Sequence, residues 1–284
     1  MRALSILIGL LLSCPALAEQ NPKDSTKDHG SRTIPLYMSS NRALVMLRVG
    51  DHAPVPVVFD SGTNGNLIDL KLADRLSLPN TGASPSVDGS TGKPVPGHDT
   101  FIKGARLGGV AIVDARATAF NYDLTDEVGI FGPNSFPDKL VRFDGPGSHL
   151  VVSDKTPNNL PQGKAVPYLG AAEDALPSAI LDFGDLKVQA ILDTGNDSTI
   201  LLPMSYASRL SLAAPPTKKG YAISAAGKQA IFSSRLKGTV TIGSIKLDGP
   251  EILFMEGGRA NIGLPVLRQL TVIFDPTDKI DWVL

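Results

Sequence analysis

The chain is short of the residues that announce disulfide, metal or nucleic-acid chemistry. Only one of its 284 residues is a cysteine, Cys14, so an intramolecular disulfide framework is excluded. Its four histidines, His29, His52, His98 and His149, are scattered, with no pair at metal-ligand spacing and no cysteine nearby to complete a set. They read as loop or surface residues, and neither a metal nor a cofactor is expected. A formal net charge of -1 and the lack of a long basic run give no electrostatic reason to expect nucleic acid or anionic membrane as a partner. No apolar run approaches the roughly 20 residues that span a bilayer, so stable membrane insertion is not expected. A Gly-x-Ser-x-Gly nucleophile elbow is missing too, and Gly89-Ser90-Thr91-Gly92-Lys93 lacks the full spacing of a phosphate loop. What remains, with 42% apolar and 19% charged residues, is a globular chain able to bury a sizeable core in one large or two medium domains.

The N-terminus carries an address. One Arg, the apolar run Ala3 to Leu12 and the small-x-small pattern Ala16-Leu17-Ala18 define a secretory signal peptide over residues 1–18. Acylation of Cys14 after Leu12-Ser13 is the competing lipoprotein reading, disfavoured by Leu12 and Pro15 as neighbours. Cleavage after Ala18 leaves a mature chain without cysteine, which favours a bacterial periplasmic or secreted product. Residues 19–33 are polar and aperiodic and read as a disordered leader.

The rest of the chain repeats itself. Val57-Val58-Phe59-Asp60-Ser61-Gly62-Thr63 and Ala190-Ile191-Leu192-Asp193-Thr194-Gly195-Asn196 stand 133 residues apart, each an apolar run ending in Asp-hydroxyl-Gly. Ala73-Asp74-Arg75-Leu76-Ser77-Leu78 recurs as Ala207-Ser208-Arg209-Leu210-Ser211-Leu212, and Ile130-Phe131-Gly132 as Asn261-Ile262-Gly263. From Asp to the later Gly the spacing is 72 residues in the first copy and 70 in the second, as in a duplicated unit with small insertions. The turn-rich segment 153–163 separates the copies, giving an N-terminal lobe over 34–152 and a C-terminal lobe over 164–284.

Short β runs broken by Gly, Pro, Asn and Asp dominate both halves: Ala43–Val49, Val55–Phe59, 101–102 and 110–113, then 180–183, Val188–Leu192, 238–242 and 246–247. Helical patterns are confined to 69–78, 203–212 and 264–270. The expected architecture is all-β, two-lobed, with one or two short helices per lobe.

A carboxylate at the end of a buried strand is costly unless hydrogen-bonded, and two in matching halves suggest that they meet. Two carboxyl groups within hydrogen-bonding reach cannot both ionise cheaply. They share a proton, one acting as base toward water and the other as acid toward a carbonyl or leaving group. Ser61 and Thr194 can anchor each loop on the other, while Gly62 and Gly195 let backbone N–H groups approach the carboxylates. Asp144 and Asp275, each after Phe, read as strand-end or turn residues.

On these paired motifs the chain resembles a bilobal aspartic protease of the pepsin/retropepsin clan, from about residue 34 to the C-terminus. The resemblance implies the acid-protease fold with its site between lobes, Asp60 and Asp193 as the catalytic pair, and Gly132 and Gly263 packed under the catalytic loops. It also implies a peptide or protein substrate bound extended, hydrolysed without cofactor, and a single chain that needs no dimerisation. Three departures stand out. The hairpin near Asp88-Gly89-Ser90-Thr91-Gly92-Lys93 has no flap tyrosine, so a Gly-rich flap from each lobe is expected, at Ser90, Thr91 and Gly92 and at Ala226 and Gly227. Thr63 and Asn196 differ after the motif glycines, with Thr63 expected to steady the nearby carboxylate and shift activity toward acid. The third is the lack of disulfides. The alternative reading is a weak or inactive protease-like protein that binds peptides or serves as a scaffold. The sequon Asn196-Asp197-Ser198 would lie inside the cleft.

Overall fold

The computed structural model describes residues 30–84, 94, 96–112, 115–121, 128–171, 174–224 and 227–284. Almost all regular structure is β, arranged as a large sheet in each half and a six-stranded sheet shared between them.

Hydrophobic periodicity explains why the outer strands form. Ala43–Val49 alternates, with Ala43, Val45, Leu47 and Val49 buried and Arg48 turned to solvent, the pattern of a strand with one wet face. The strands that lead to the two motifs do not alternate. Val57, Val58 and Phe59 are buried in succession at the end of Val55–Phe59, and so are Ala190, Ile191 and Leu192 in Lys187–Asp193. Both strands run parallel to a later one, Gly129–Phe131 and Asn261–Gly263 respectively, and are covered on both faces.

Strand order matches between the lobes. The N-terminal sheet runs Gly82–Ala83, Gly97–Ile102, Ala115–Phe120, Asn66–Asp69, Gly129–Phe131, Val55–Phe59, Ala43–Val49, Ala105–Leu107 and Val110–Ala111, with Tyr37–Met38 beside Ala43–Val49. The C-terminal sheet repeats that order as Thr217–Ser224, Gly227–Arg235, Glu251–Met255, Ile200–Pro203, Asn261–Gly263, Lys187–Asp193, Ser178–Asp182, Thr239–Ile242 and Ile245–Asp248.

The shared sheet reads alike from either end: Arg32–Pro35, His149–Asp154 and Lys139–Asp144 face Thr271–Asp275, Ile280–Val283 and Val166–Pro167 across the join of Lys139–Asp144 with Thr271–Asp275. Phe59 stacks on Phe143 of this sheet with ring centroids 6.3 Å apart, both fully buried. Burying such a ring stabilises by about 2–3 kcal/mol and holds the residue before Asp60 against the molecule's centre.

Two expected boundaries shift. Arg32 and Thr33, assigned to a disordered leader, belong to a strand paired with Val152 and Val151, because that edge of the shared sheet offers them backbone partners. Ser153 and Asp154, assigned to the linker, finish the strand opposite Leu140 and Lys139. Polar composition concealed both. The remainder of the leader and the signal segment, residues 1–29, lie outside the described residues.

Among the described residues the helices are short, two in each half. Leu70–Arg75 is α-helical, started by the Asp69 carboxylate accepting from the N–H groups of Lys71 (3.0 Å) and Leu72 (3.3 Å). Its repeat partner Met204–Arg209 is a 3-10 helix preceded by Pro203, which has no side-chain acceptor to offer, and it buries no residue. Pro133–Ser135 is a second 3-10 turn and Leu264–Leu267 a second α turn. Among the described residues no helix is long and apolar enough to cross a membrane.

Candidate active site

Each motif begins where its parallel strand pair ends. Asp60 donates its N–H to the Phe131 carbonyl (2.9 Å), and Asp193 sits in register with Gly263. Under the first loop, a Cβ on Gly132 would stand 2.7 Å from the Asp60 carbonyl oxygen and 2.9 Å from Thr63 Cγ2. Under the second, a Cβ on Gly263 would collide with the Ser198 and Asn196 carbonyls. Only glycine fits beneath either loop, for lack of space rather than for an unusual φ.

The loops hold each other by four hydrogen bonds from two hydroxyls. Thr194 Oγ1 accepts from the Ser61 N–H (2.9 Å) and donates to the Phe59 carbonyl (2.7 Å). Ser61 Oγ accepts from the Thr194 N–H (3.2 Å) and donates to the Leu192 carbonyl (2.7 Å). Both side chains are fully buried. Every backbone group in this cross-lobe bracket is satisfied by the other lobe.

The bracket brings Asp60 and Asp193 within hydrogen-bonding reach of each other. Within each loop a glycine N–H donates to the carboxyl two residues before it: Gly62 to Asp60 Oδ1 (2.7 Å) and Gly195 to Asp193 Oδ1 (3.0 Å). Each glycine also faces the opposite carboxyl. A Cβ on Gly62 would lie 2.5 Å from Asp193 Cγ, and one on Gly195 2.5 Å from Asp60 Oδ2.

Electrostatics separate the two acids. Burial, then the charge of Asp193, pushes Asp60 well above the usual carboxylate range, against the opposing Gly62 N–H. Burial also raises Asp193, but the Asn261 amide, the hydrogen bond with Asp60 and the N–H groups of Gly195 and Asn196 pull it back. Both residues keep some solvent-accessible surface, yet dense backbone surrounds their carboxyl groups, so desolvation comes first for each. Both shifts favour the protonated form, so the pair retains a proton more readily than free carboxyl groups do.

Asn261 is the site residue that the sequence reading missed. Its Nδ2 donates to Asp193 Oδ2 at 2.5 Å, and its Oδ1 accepts from Asn196 Nδ2 at 2.7 Å. The repeat carried the signal, since Asn261 stands where the first copy has Ile130. A polar residue in an apolar register of a buried strand calls for a partner.

Thr63 does not do what was expected of it. Its hydroxyl donates to the Gly65 carbonyl (2.8 Å) and accepts from the Gly65 N–H (3.2 Å), closing its own loop rather than reaching Asp60. The Asn196 amide within the sequon is engaged on both sides, toward Asn261 and from the Ser198 N–H (2.8 Å). Asp144 and Asp275 end strands and accept turn N–H groups, from Gly147 (3.0 Å) and from Thr277 and Asp278 (3.2 and 3.1 Å).

Of the expected flap residues, Ser90, Thr91, Gly92 and Ala226 lie outside the described residues. Gly227 opens the return strand of a hairpin, Thr217–Ser224 with Gly227–Arg235, paired to within two residues of its tip. Its counterpart in strand order is formed by Gly82–Ala83 and Gly97–Ile102. Among the described residues, no group of three or more His, Cys, Asp or Glu is placed to hold a metal ion.

A comparison with curated proteins gave no match. The family model described as aspartyl protease matches twice, over residues 45–134 and again over 179–266. Each match contains one Asp-hydroxyl-Gly loop and the glycine beneath it, and together they span more than half of the chain. Duplicated sequence, mirrored sheets and two matches in one chain agree: the protein belongs to the aspartyl protease family, in its two-lobed, single-chain form.

Proposed function

We propose that the protein is an aspartic endopeptidase that hydrolyses peptide bonds by water activated between Asp60 and Asp193. The observation that carries this reading is the meeting of the two carboxyl groups, pinned by reciprocal bonds between Ser61 and Thr194 and both raised by burial. Sharing one proton equips the pair with a base for the water and an acid for the carbonyl oxygen in a single protonation state. The substrate is a peptide or protein in extended form, lying between the lobes and held by backbone hydrogen bonds, with apolar pockets lending selectivity. The C-terminal hairpin, Thr217–Ser224 with Gly227–Arg235, is one of the elements that grip it. A single chain supplies both acids, so a monomer suffices.

Residues 1–18 direct the protein out of the cytoplasm, to the periplasm or medium. N-terminal sequencing of the exported product should begin at Glu19, whereas an acylated Cys14 would mark a lipoprotein instead.

Cleavage of a mixed peptide library by the purified chain from about pH 3 to 8 tests the activity. Cuts that vanish in Asp60→Asn, in Asp193→Asn and with a statine-type inhibitor are expected. Folded protein that binds peptides but cuts none at any pH would replace this reading with that of a protease-like binding or scaffold protein.

A further inference from the structure

We propose that Asn196 and Asn261 form a positioning relay that fixes Asp193 as the base of the catalytic pair and leaves the proton on Asp60. The inference rests on the protease reading for its chemistry, but the relay itself is a matter of hydrogen-bond direction.

The direction is dictated from one end. The Ser198 backbone N–H can only donate, and it donates to Asn196 Oδ1 (2.8 Å). The Asn196 Nδ2 must then point onward, and it reaches Asn261 Oδ1 (2.7 Å). That leaves Asn261 Nδ2 as the last donor, 2.5 Å from Asp193 Oδ2. Asn196 cannot flip without setting its NH2 against the Ser198 N–H, and Asn261 cannot flip without facing Asn196 donor to donor. Asn261 is nine-tenths buried, and its backbone is locked into the strand beside Ile191. The chain of amides therefore ends on a donor aimed at an oxygen that must accept, as an ionised carboxylate does.

Among the described residues the N-terminal lobe has no such chain. In matching register stand Ile130 for Asn261 and Thr63 for Asn196, and the Thr63 hydroxyl is spent on Gly65. Asp60 receives backbone N–H groups only, and the titratable group facing it is Asp193. The groups on Asp193 are Asp60, the Asn261 amide and the N–H groups of Gly195 and Asn196, so its one charged neighbour there is again the other acid. The Asn261 amide and the two loop N–H groups favour charge on Asp193, and the shared proton goes to Asp60.

The step then has a direction. Asp193 takes a proton from water as the oxygen attacks the scissile carbonyl carbon, and Asp60 gives its proton to the carbonyl oxygen, forming a gem-diol. Collapse returns a diol proton to Asp60 and passes the proton on Asp193 to the amide nitrogen as the C–N bond breaks. Acid and amine leave with both carboxyl groups as they began.

Carboxyl titration of the full chain carrying 13C-labelled aspartate tests this, with resonances assigned through Asp60→Asn and Asp193→Asn. Asp193 should lose its proton at lower pH than Asp60. In Asn261→Leu the Asp193 transition should rise by about one pH unit, and in Asn196→Ala by less, since a donor to the charged form is lost or loosened. The acid limb of kcat/KM should move up by the same amount, costing roughly tenfold in rate one unit below the wild-type limb. Asp60 titrating first in wild type overturns the proposal, as does an unmoved Asp193 in a folded Asn261→Leu variant. If that variant fails to fold, the wild-type order decides. Wild type that titrates Asp193 first yet cuts no peptide upholds the relay and removes the protease reading, so the two failures are distinguishable.

Discussion

The two lobes share nine strand positions in the same order, yet the residues around their acids have diverged. Where a side chain meets the other lobe's backbone the copies are interchangeable: Ser61 and Thr194 make the same two bonds in opposite directions, and Gly62 and Gly195 each face the other's carboxyl. Where side chains alone act they are not. Asn261 replaces Ile130 beside one acid, Pro203 replaces Asp69 at the start of a helix, and Asp281 occupies the register of Leu150 in the shared sheet. Duplication thus supplies two acids at one point, and later divergence supplies the difference between them that acid and base roles require.

If the pair works as a unit, the lobes should be equally indispensable. Asp60→Asn and Asp193→Asn should each lower kcat/KM on a cleaved peptide by on the order of a thousandfold or more, because either change removes a proton-transfer partner. A large residual rate in one variant alone would break that equivalence.

The bracket should be symmetric in stability. Thr194→Val strands the Ser61 N–H and Phe59 carbonyl, and Ser61→Ala strands the Leu192 carbonyl and Thr194 N–H. Two buried backbone groups without partners cost about 2–4 kcal/mol in either case. Urea unfolding of both variants at one pH should give similar losses, and a gap of more than about 1 kcal/mol would show that one lobe carries the grip.

Asp281 sharpens the contrast in the shared sheet. It is fully buried, one oxygen accepts from the Ser178 N–H (2.8 Å), and among the described residues the other has no hydrogen-bond partner, as is also true of the Tyr168 hydroxyl. Burial pushes its carboxyl up to about 8, against that N–H. A folded value above the unfolded one means that the folded protein holds a proton the unfolded chain releases. This stabilisation is complete below about pH 4 and is lost as pH climbs toward 8, up to about 4 kcal/mol between pH 5 and 8. Asp60 titrates in the same sense, so the informative quantity is the change in slope. Asp281→Leu, the N-terminal lobe's own solution, should flatten the decline in unfolding free energy from pH 5 to 8. An unchanged slope would mean that Asp281 is ionised throughout.

Legibility followed the same division. The strands Ala43–Val49 and Val55–Phe59 were readable to the residue, because alternation and unbroken apolar runs report which faces are covered. The pairing of Arg32 and Thr33 was not, because an edge strand is held by its neighbour's backbone and needs no apolar pattern. The long hairpin Thr217–Ser224 with Gly227–Arg235 was foreseen only at its tip, since Lys218, Lys219, Lys228 and Gln229 mask its β character. At the site, the repeated Asp-hydroxyl-Gly loops pointed to a face-to-face pair. Asn261 lay outside that motif and became meaningful once the parallel pairing set it beside Ile191, two residues short of the acid's own register.

The smallest expected effect divides the two positions after the motif glycines. Thr63 and Asn196 are equivalent in the repeat, and from sequence a Thr63 hydroxyl near Asp60 should favour acid activity. In the fold that hydroxyl donates to Gly65 and leaves Asp60 to the Gly62 N–H, so its removal leaves no donor missing from the carboxyl. Thr63→Ala should therefore leave both limbs of the kcat/KM profile within about 0.2 pH units of wild type, while loosening the loop by about 1 kcal/mol in unfolding free energy. Asn196→Ala should shift the acid limb upward through Asn261. A Thr63→Ala shift as large as that of Asn196→Ala would show that both loops steady their acids through the residue after the glycine, and the asymmetry between the lobes would reduce to Asn261 alone.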